Sequence, residues 1–256
     1  RNKKTGWRKW VAFGDNHGNL TDADSKRALL KFIDHYKPDD IIHVGDNFDL
    51  PALRSGISSQ DSAAYDDLED DLIAGFKFLE QTAPTVYLLG NHEHRLWRVA
   101  ERHAHGVVRM AAEDMIGRIE EHCRKHRIKL IPYHYEKGIH RIAEGALTFV
   151  HGYTANQNSV SQHATHFAGT SKGSTVIMGH LHRLESANGK RHMRAQGFSI
   201  GCMADFARMD YAAHRLATAA WQNAWAFGVY KKDQFTVWTA KRTGGKWMLP
   251  TGLEEL

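Results

Sequence analysis

Five times along the chain a short apolar run, rich in β-branched and aromatic residues, stops at a glycine or a small turn and is followed by an Asp, Asn or His. Trp10-Val11-Ala12-Phe13-Gly14 leads to Asp15-Asn16-His17, and Ile41-Ile42-His43-Val44-Gly45 leads to Asp46-Asn47-Phe48-Asp49. Thr85-Val86-Tyr87-Leu88-Leu89-Gly90 delivers Asn91-His92-Glu93. Ala146-Leu147-Thr148-Phe149-Val150 delivers His151, and Thr175-Val176-Ile177-Met178-Gly179 delivers His180-Leu181-His182. Short unbroken apolar runs predict strands covered on both faces, and in such sheets functional groups gather in the loops past the strands' carboxyl ends. If the five strands run roughly parallel, their tips open onto one rim.

Between them the period changes to that of a helix. Thr21-Asp22-Ala23-Asp24 predicts a capping box, after which Leu29, Phe32, Ile33 and Tyr36 share a face until Pro38 stops the helix. A second helix is predicted over 65–81, with Leu68, Leu72, Phe76 and Leu79 inward, and the Ser- and Gly-containing segment 50–62 before it reads as a loop at the rim. A third is predicted over 113–126, with Met115, Ile116 and Ile119 on its core side. From Ile128-Lys129-Leu130-Ile131 onward the pattern is strand-rich, interrupted by the His-rich segment 159–167. Asn188-Gly189 and Gly244-Gly245 are hairpin signals, and Lys232-Asp233 marks another turn. Segment 204–225 matches no single element, and its aromatics and Met read as core or lid packing. These patterns alone imply an α/β or α+β class.

With 256 residues, 42% hydrophobic and 25% charged, and with no linker or internal repeat, the chain is expected to form a single domain over 1–256. No run approaches the roughly 18 apolar residues of a membrane span, and the basic start lacks the apolar region of a signal peptide. A soluble, cytoplasmic protein without a membrane partner is therefore expected. Cys123 and Cys202 are too few for a disulfide framework, which suits a reducing compartment. A net charge of +5 with 18 His leans toward an anionic partner, a phosphorylated substrate or nucleic acid. Arg95, Arg98, Arg102, His105 and Arg109 recur at helical spacing; they are either a solvated face or a track for a phosphate backbone, and Gly106 argues against one unbroken helix.

The five tips carry Asp, Asn and His, a donor set that suits Mn, Fe, Zn or Ni and is too large for one ion. In chain order they read D-x-H at 15–17, G-D-x-x-D at 45–49, G-N-H-E at 90–93, H at 151 and G-H-x-H at 179–182. This series resembles the signature of the calcineurin-like metallophosphoesterases, and five ordered motifs at strand ends are far more specific than any one of them. The resemblance implies two facing mixed β-sheets flanked by helices, a four-layer sandwich with the metals where strand ends meet. It implies that Asp15, His17, Asp46 and His182 hold the first of two divalent ions and Asp46, Asn91, His151 and His180 the second, with Mn²⁺ the first choice and Fe, Zn or Ni the alternatives. Two dications about 4 Å apart repel, and the shared Asp46 carboxylate offsets that repulsion.

By the same resemblance a phosphate ester is hydrolysed through attack of a metal-bridging hydroxide, and His92 donates the proton to the leaving alkoxide. Asp49 resembles the carboxylate that orients this His, although a turn or helix-cap role suits its position equally well. Protein phosphatases carry an Arg directly after that Asp, and here the residue is Leu50. The G-D-x-F-D form and the paired G-H-x-H resemble the phosphodiesterase and nuclease branches, while Glu93 and Ser199-Ile200-Gly201 depart from them. The expected activity is that of a phosphodiesterase acting on nucleotides or nucleic acid. A phosphomonoesterase or protein phosphatase, and a non-catalytic basic nucleic-acid-binding module, are the alternatives. Nothing in the sequence bears on oligomeric state.

Overall fold

The computed structural model describes residues 6–53, 63–190, 194–209, 216–250 and 252–253, the side chains of 63–67, 216–217 and 252–253 lying outside that description. Its first strand shows how the layers arise. Trp10 and Ala12 leave β1 (Arg8–Phe13) on one face and Val11 and Phe13 on the other, and all four are fully buried. A strand buried on both sides must be covered twice.

β1 pairs in parallel with β2 (Asp40–His43), followed by β3 (Val86–Leu88) and β4 (Lys129–Ile131), also parallel. On its other side the sheet continues antiparallel through β10 (Ala224–Lys231), β12 (Trp238–Thr243), β13 (Lys246–Leu249) and β14 (Gly252–Leu253), with β11 (Gln234–Phe235) folded back on β10. The second sheet has the order β5 (His140–Ile142), β6 (Leu147–Val150), β7 (Thr175–Met178), β9 (Gln196–Ile200) and β8 (Leu184–Asn188). β6, β7 and β9 are parallel, and the two edges are antiparallel.

The sheets meet face to face. Trp10, Ile42, Val44, Val86 and Leu88 of the first pack on Leu147, Phe149, Ile177 and Ile200 of the second, with Trp10 edge-on to Phe149 at 5.4 Å. The outer face of the first sheet is covered by α1 (Ala23–Tyr36), whose Leu29 and Phe32 meet Val11, Phe13 and Trp225. Beside it, α2 (Ala63–Thr82), α3 (Asn91–Arg102) and α4 (Gly106–Lys125) share a core of Leu72, Leu79, Tyr87, Leu96 and Ile119. α5 (Ser159–Phe167) covers the second sheet through Val160 and Phe167. The expected architecture, two facing mixed sheets between helices, is the one observed.

Several local expectations change. α1 is capped by Asp22, whose carboxylate accepts from the Ser25 N–H at 2.7 Å; the Thr21 hydroxyl is turned back to the Gly18 carbonyl at 2.6 Å and cannot serve as the cap. α4 begins at Gly106, well before 113, because its first turns leave Val107 and Met110 80% and 68% exposed and so carry no inward stripe to read. The helix is indeed broken, but at 103–105, between α3 and α4, and Gly106 is the first residue of α4. Asn188-Gly189 is no two-residue turn: Asn188 pairs with Gln196, and the Gly189 N–H closes a longer loop on the Ala195 carbonyl. Gly244-Gly245 is one, joining Thr243 to Lys246 with φ of 57° and 78°, and the turn at Lys232 has φ 54°. Of the predicted rim loop 50–62, Leu50 is fully buried, Pro51–Leu53 forms a single 3₁₀ turn, and 54–62 lies outside the described residues. Segment 204–225 contributes 3₁₀ turns at Phe206–Arg208 and Leu216–Ala220 before entering β10, and 210–215 lies outside the described residues. Among the described residues no helix is long and apolar enough to cross a membrane.

Candidate metal centre

The carboxyl ends of β1, β2 and β3 in one sheet and of β6 and β7 in the other converge on one edge of the sandwich, so the predicted rim exists. Asp15, His17, Asp46 and His151 are at most 1% exposed there, and His182 and His92 are 6% and 8% exposed. Asp15, His17 and His182 form one group and Asp46, His151 and His180 another, the donor atoms within each lying within 4.8 Å of one another. His182 Nε2 is 3.3 Å from Asp15 Oδ1 and 3.1 Å from His17 Nε2. In the second group His151 Nε2 is 3.4 Å from Asp46 Oδ2 and 3.0 Å from Asn91 Oδ1. A third combination, His17, Asp46 and His92, joins the two. All seven expected ligands are thus brought together.

The backbone is held under strain to achieve this. Asp15, His17, Asp46, His180 and His182 all have left-handed φ, between 50° and 69°. Each such residue costs roughly 1–2 kcal/mol without a glycine, which the surrounding structure must offset. Backbone bonds tie the first tip to the second, His17 N–H to the Asp46 carbonyl at 3.1 Å and Gly18 N–H to that of Asn47 at 2.7 Å. The His180 N–H donates to the Asp15 carboxylate at 3.0 Å. At Gly90 a Cβ would stand 2.1 Å from Asp46 Oδ1, so only glycine lets the third tip come this close to the second.

Two buried carboxylates that sequence reasoning did not assign hold the second loop in place. Glu93, fully buried on α3, accepts from the N–H groups of Asp46 (3.2 Å), Phe48 (3.0 Å) and Gly90 (2.7 Å) and from the Tyr87 hydroxyl (2.7 Å). Asp71, fully buried on α2, accepts from the N–H groups of Asp49 and Leu50, both at 3.0 Å. Its sequence signal is an acid on the apolar face that carries Leu68 and Leu72. Under the first two tips His43 also goes unassigned by sequence: burial depresses its pKa to about 3, so it is a neutral ring, bonded to Asn16 Oδ1 at 2.7 Å and accepting from the Gly45 N–H.

The carboxylates and imidazoles of the rim set one another's charge. Burial alone would raise Asp46, yet the His151 and His92 imidazoles hold it well below the usual carboxylate range. Burial disfavours a charged His151, but Asp46 outweighs it and lifts its pKa to about 9. His180 goes the other way, to about 4, through burial and the neighbouring His151. The donor set suits divalent metal ions. His151 Nδ1 donates to the Val44 carbonyl at 2.9 Å, which fixes the ring so that Nε2 faces Asp46 and Asn91 and would become a ligand there once a metal ion replaces its proton. His17 and His182 turn their Nε2 atoms toward each other, an arrangement that a cation between them stabilises.

His92 and Asp49 stand beside these groups. His92 Nε2 is 3.8 Å from Asp46 Oδ2, while its Nδ1 donates to the Asp49 carbonyl at 2.8 Å. The Asp49 carboxylate lies between two rings, 3.4 Å from His92 Nδ1 and 3.3 Å from His17 Nδ1. Burial opposes a charged His92, but Asp46 and Asp49 raise its pKa above the ordinary imidazole value. Of the predicted basic stripe, Arg95, Arg98 and Arg102 share one face of α3 and line a surface cavity of about 410 Å³ with Leu53, Val99 and His103. Arg109 is on α4, where its guanidinium donates to the His103 carbonyl at 3.0 Å, so the stripe is shorter than its spacing suggested.

Among solved structures the chain is similar to Vps29 from Entamoeba histolytica in complex with zinc, at 10% identity over 93% of this chain and 95% of that one, with a TM-score of 0.48. It is also similar to a metallophosphoesterase from Sphaerobacter thermophilus (16%, 90% and 87%, TM-score 0.47) and to the phosphoesterase Yfce from E. coli (13%, 89% and 91%, TM-score 0.40). No protein of curated function matches it in sequence. The calcineurin-like phosphoesterase profile matches residues 9–184, which span all five strand tips, and by that match the chain belongs to the calcineurin-like phosphoesterases.

Proposed function

We propose that this protein is a dinuclear metal-dependent phosphodiesterase acting on nucleotides or nucleic acid. The observation that carries the proposal is the pair of adjoining groups, buried Asp15, His17 and His182 beside buried Asp46 and His151 and half-buried His180, with His92 next to both. Asp15, His17, Asp46 and His182 would hold one divalent ion and Asp46, Asn91, His151 and His180 the other, Asp46 being shared. When bound, the ions supply Lewis-acid activation of water and of the phosphoryl group. Mn²⁺ is the first candidate; Fe, Zn and Ni fit the same donors.

The chain's own contribution is positioning and proton transfer. His92 keeps Nδ1 on the Asp49 carbonyl, which directs Nε2 into the site and leaves it free to donate to a leaving alkoxide. The Asp49 carboxylate beside that ring supports its charged form and steadies His17 as well. Two features favour a diester. Leu50 fills the position where protein phosphatases place an Arg, and the Arg95, Arg98 and Arg102 face leads away from His92 as a phosphate backbone would. A monoesterase has one observation in its favour, since Arg95 Nη1 lies 3.4 Å from His92 Nδ1 and puts a cation near the substrate.

Turnover of bis-p-nitrophenyl phosphate against p-nitrophenyl phosphate in saturating Mn²⁺ separates these readings. Faster diester cleavage is expected, and a clear monoester preference would reject the diesterase assignment. No turnover of either ester with the metals bound would support the non-catalytic module.

A further inference from the structure

A second cluster of metal-binding side chains lies at the opposite end of the sandwich. α2 and α4 both run toward the amino ends of β3 and β4, away from the rim. Glu80 stands in the last turn of α2, and His122 and His126 stand one turn apart near the end of α4, so the two rings share a face. The rings stack at 4.5 Å, and His126 Nε2 is 3.8 Å from Glu80 Oε1. One donor atom from each of the three lies within 4.8 Å of the others.

We propose that Glu80, His122 and His126 form a separate divalent-metal site, of the zinc class, that clamps the carboxyl ends of α2 and α4 together. Two imidazoles and a carboxylate from protein, completed by water, are a common zinc donor set. His122 is prepared for it: its ring packs on Phe76 at 4.7 Å, and its Nε2 is buried with no hydrogen-bond partner among the described residues. Both helices end here, and the partial negative charge at their carboxyl termini attracts a cation. Further up the same interface α4 already reaches α2 through Arg118, which forms a two-pronged pair with Glu69 at 2.8 and 3.0 Å. At the cluster a metal ion would take the place that the guanidinium has there. The site owes nothing to the rim residues, so it stands or falls separately from the proposed activity.

The test measures bound Zn²⁺ after gel filtration, together with the melting temperature, in a chain whose rim is disabled by Asp15→Asn and Asp46→Asn. That variant is expected to retain one Zn²⁺ per chain at this cluster and to melt higher with Zn²⁺ than with chelator, since a ligand bound only by the folded state stabilises it. Adding Glu80→Gln and His126→Gln, both at exposed positions, should abolish both effects. If the rim variant does not fold, the comparison is made in the otherwise intact chain, where Glu80→Gln with His126→Gln should lower the zinc count by one with ester turnover unchanged. Equal zinc content and equal thermal response with and without those two substitutions would overturn the proposal.

Discussion

Glu93 shows how much of the site rests on one residue that need touch neither metal nor substrate. Its carboxylate gathers three backbone N–H groups and a tyrosine hydroxyl in a fully buried place, and two of those N–H groups belong to Asp46 and Phe48. Glu93→Gln keeps the shape but turns an amide N–H₂ toward backbone donors. A loss of about 2 kcal/mol in urea unfolding is expected, the usual penalty for a buried donor left unpaired, together with weaker metal retention, because the loop that aims Asp46 loosens. Unchanged stability would mean that the loop holds itself. His92 next to it tests the chemistry. His92→Ala should keep the metals and lose on the order of 10²- to 10⁴-fold in turnover, with a smaller loss on a nitrophenyl ester, whose leaving group hardly needs a proton. An equal loss on nitrophenyl and alkyl esters would show that His92 does not supply the leaving-group proton. The contrast between these neighbours explains what the sequence could reveal. Asn91 and His92 stand at a strand tip and announce chemistry by type and spacing, whereas Glu93 depends on which N–H groups a distant loop presents, and that is a property of the folded backbone.

At the scale of elements, α2 carries a comparable device. Asp71 sits on its apolar face, where burial raises its pKa to about 6 even though two backbone N–H groups bind it. Between the unfolded value near 3.8 and this folded value the native protein holds a proton that the unfolded chain has lost. Asp71 therefore favours folding most in acid, and its contribution falls as pH rises through that window, by something on the order of 3 kcal/mol. Wild type minus Asp71→Asn, compared by urea unfolding at pH 4.5 and 7, should show wild type losing stability relative to the variant at the higher pH. A difference independent of pH would mean that Asp71 is charged in the fold throughout. The strands and α2 were legible because burial imposes a period on the sequence. The start of α4 was not, since Val107 and Met110 are exposed, and the Asn188-Gly189 turn was not, since a longer loop carries the same dipeptide as a tight one.

For the whole molecule, the decisive event is that two sheets place their carboxyl ends on the same edge. Five motifs spread over residues 15–182 become one site only because β1, β2 and β3 are parallel in one sheet and β6 and β7 in the other. The motif order pointed to this, but the hydrophobic pattern alone could not, because which sheet a strand joins depends on long-range pairing. The same arrangement puts α3 at the lip of the site, with Asn91 at its first turn and Arg95, Arg98 and Arg102 along its exposed side. A diester polymer seated at the metals would leave along that side. Binding of single-stranded or duplex nucleic acid should then weaken steeply with salt, as neutralised phosphates release their counterions. Arg98→Ala with Arg102→Ala should flatten the plot of log affinity against log salt by about one unit for each phosphate that the variant no longer neutralises. Arg109→Ala, on a different helix and engaged with the His103 carbonyl, should change the slope less. Equal slopes for wild type and the double variant, or no detectable binding at low salt, would remove nucleic acid from the substrate class and leave small diesters for the same metal site.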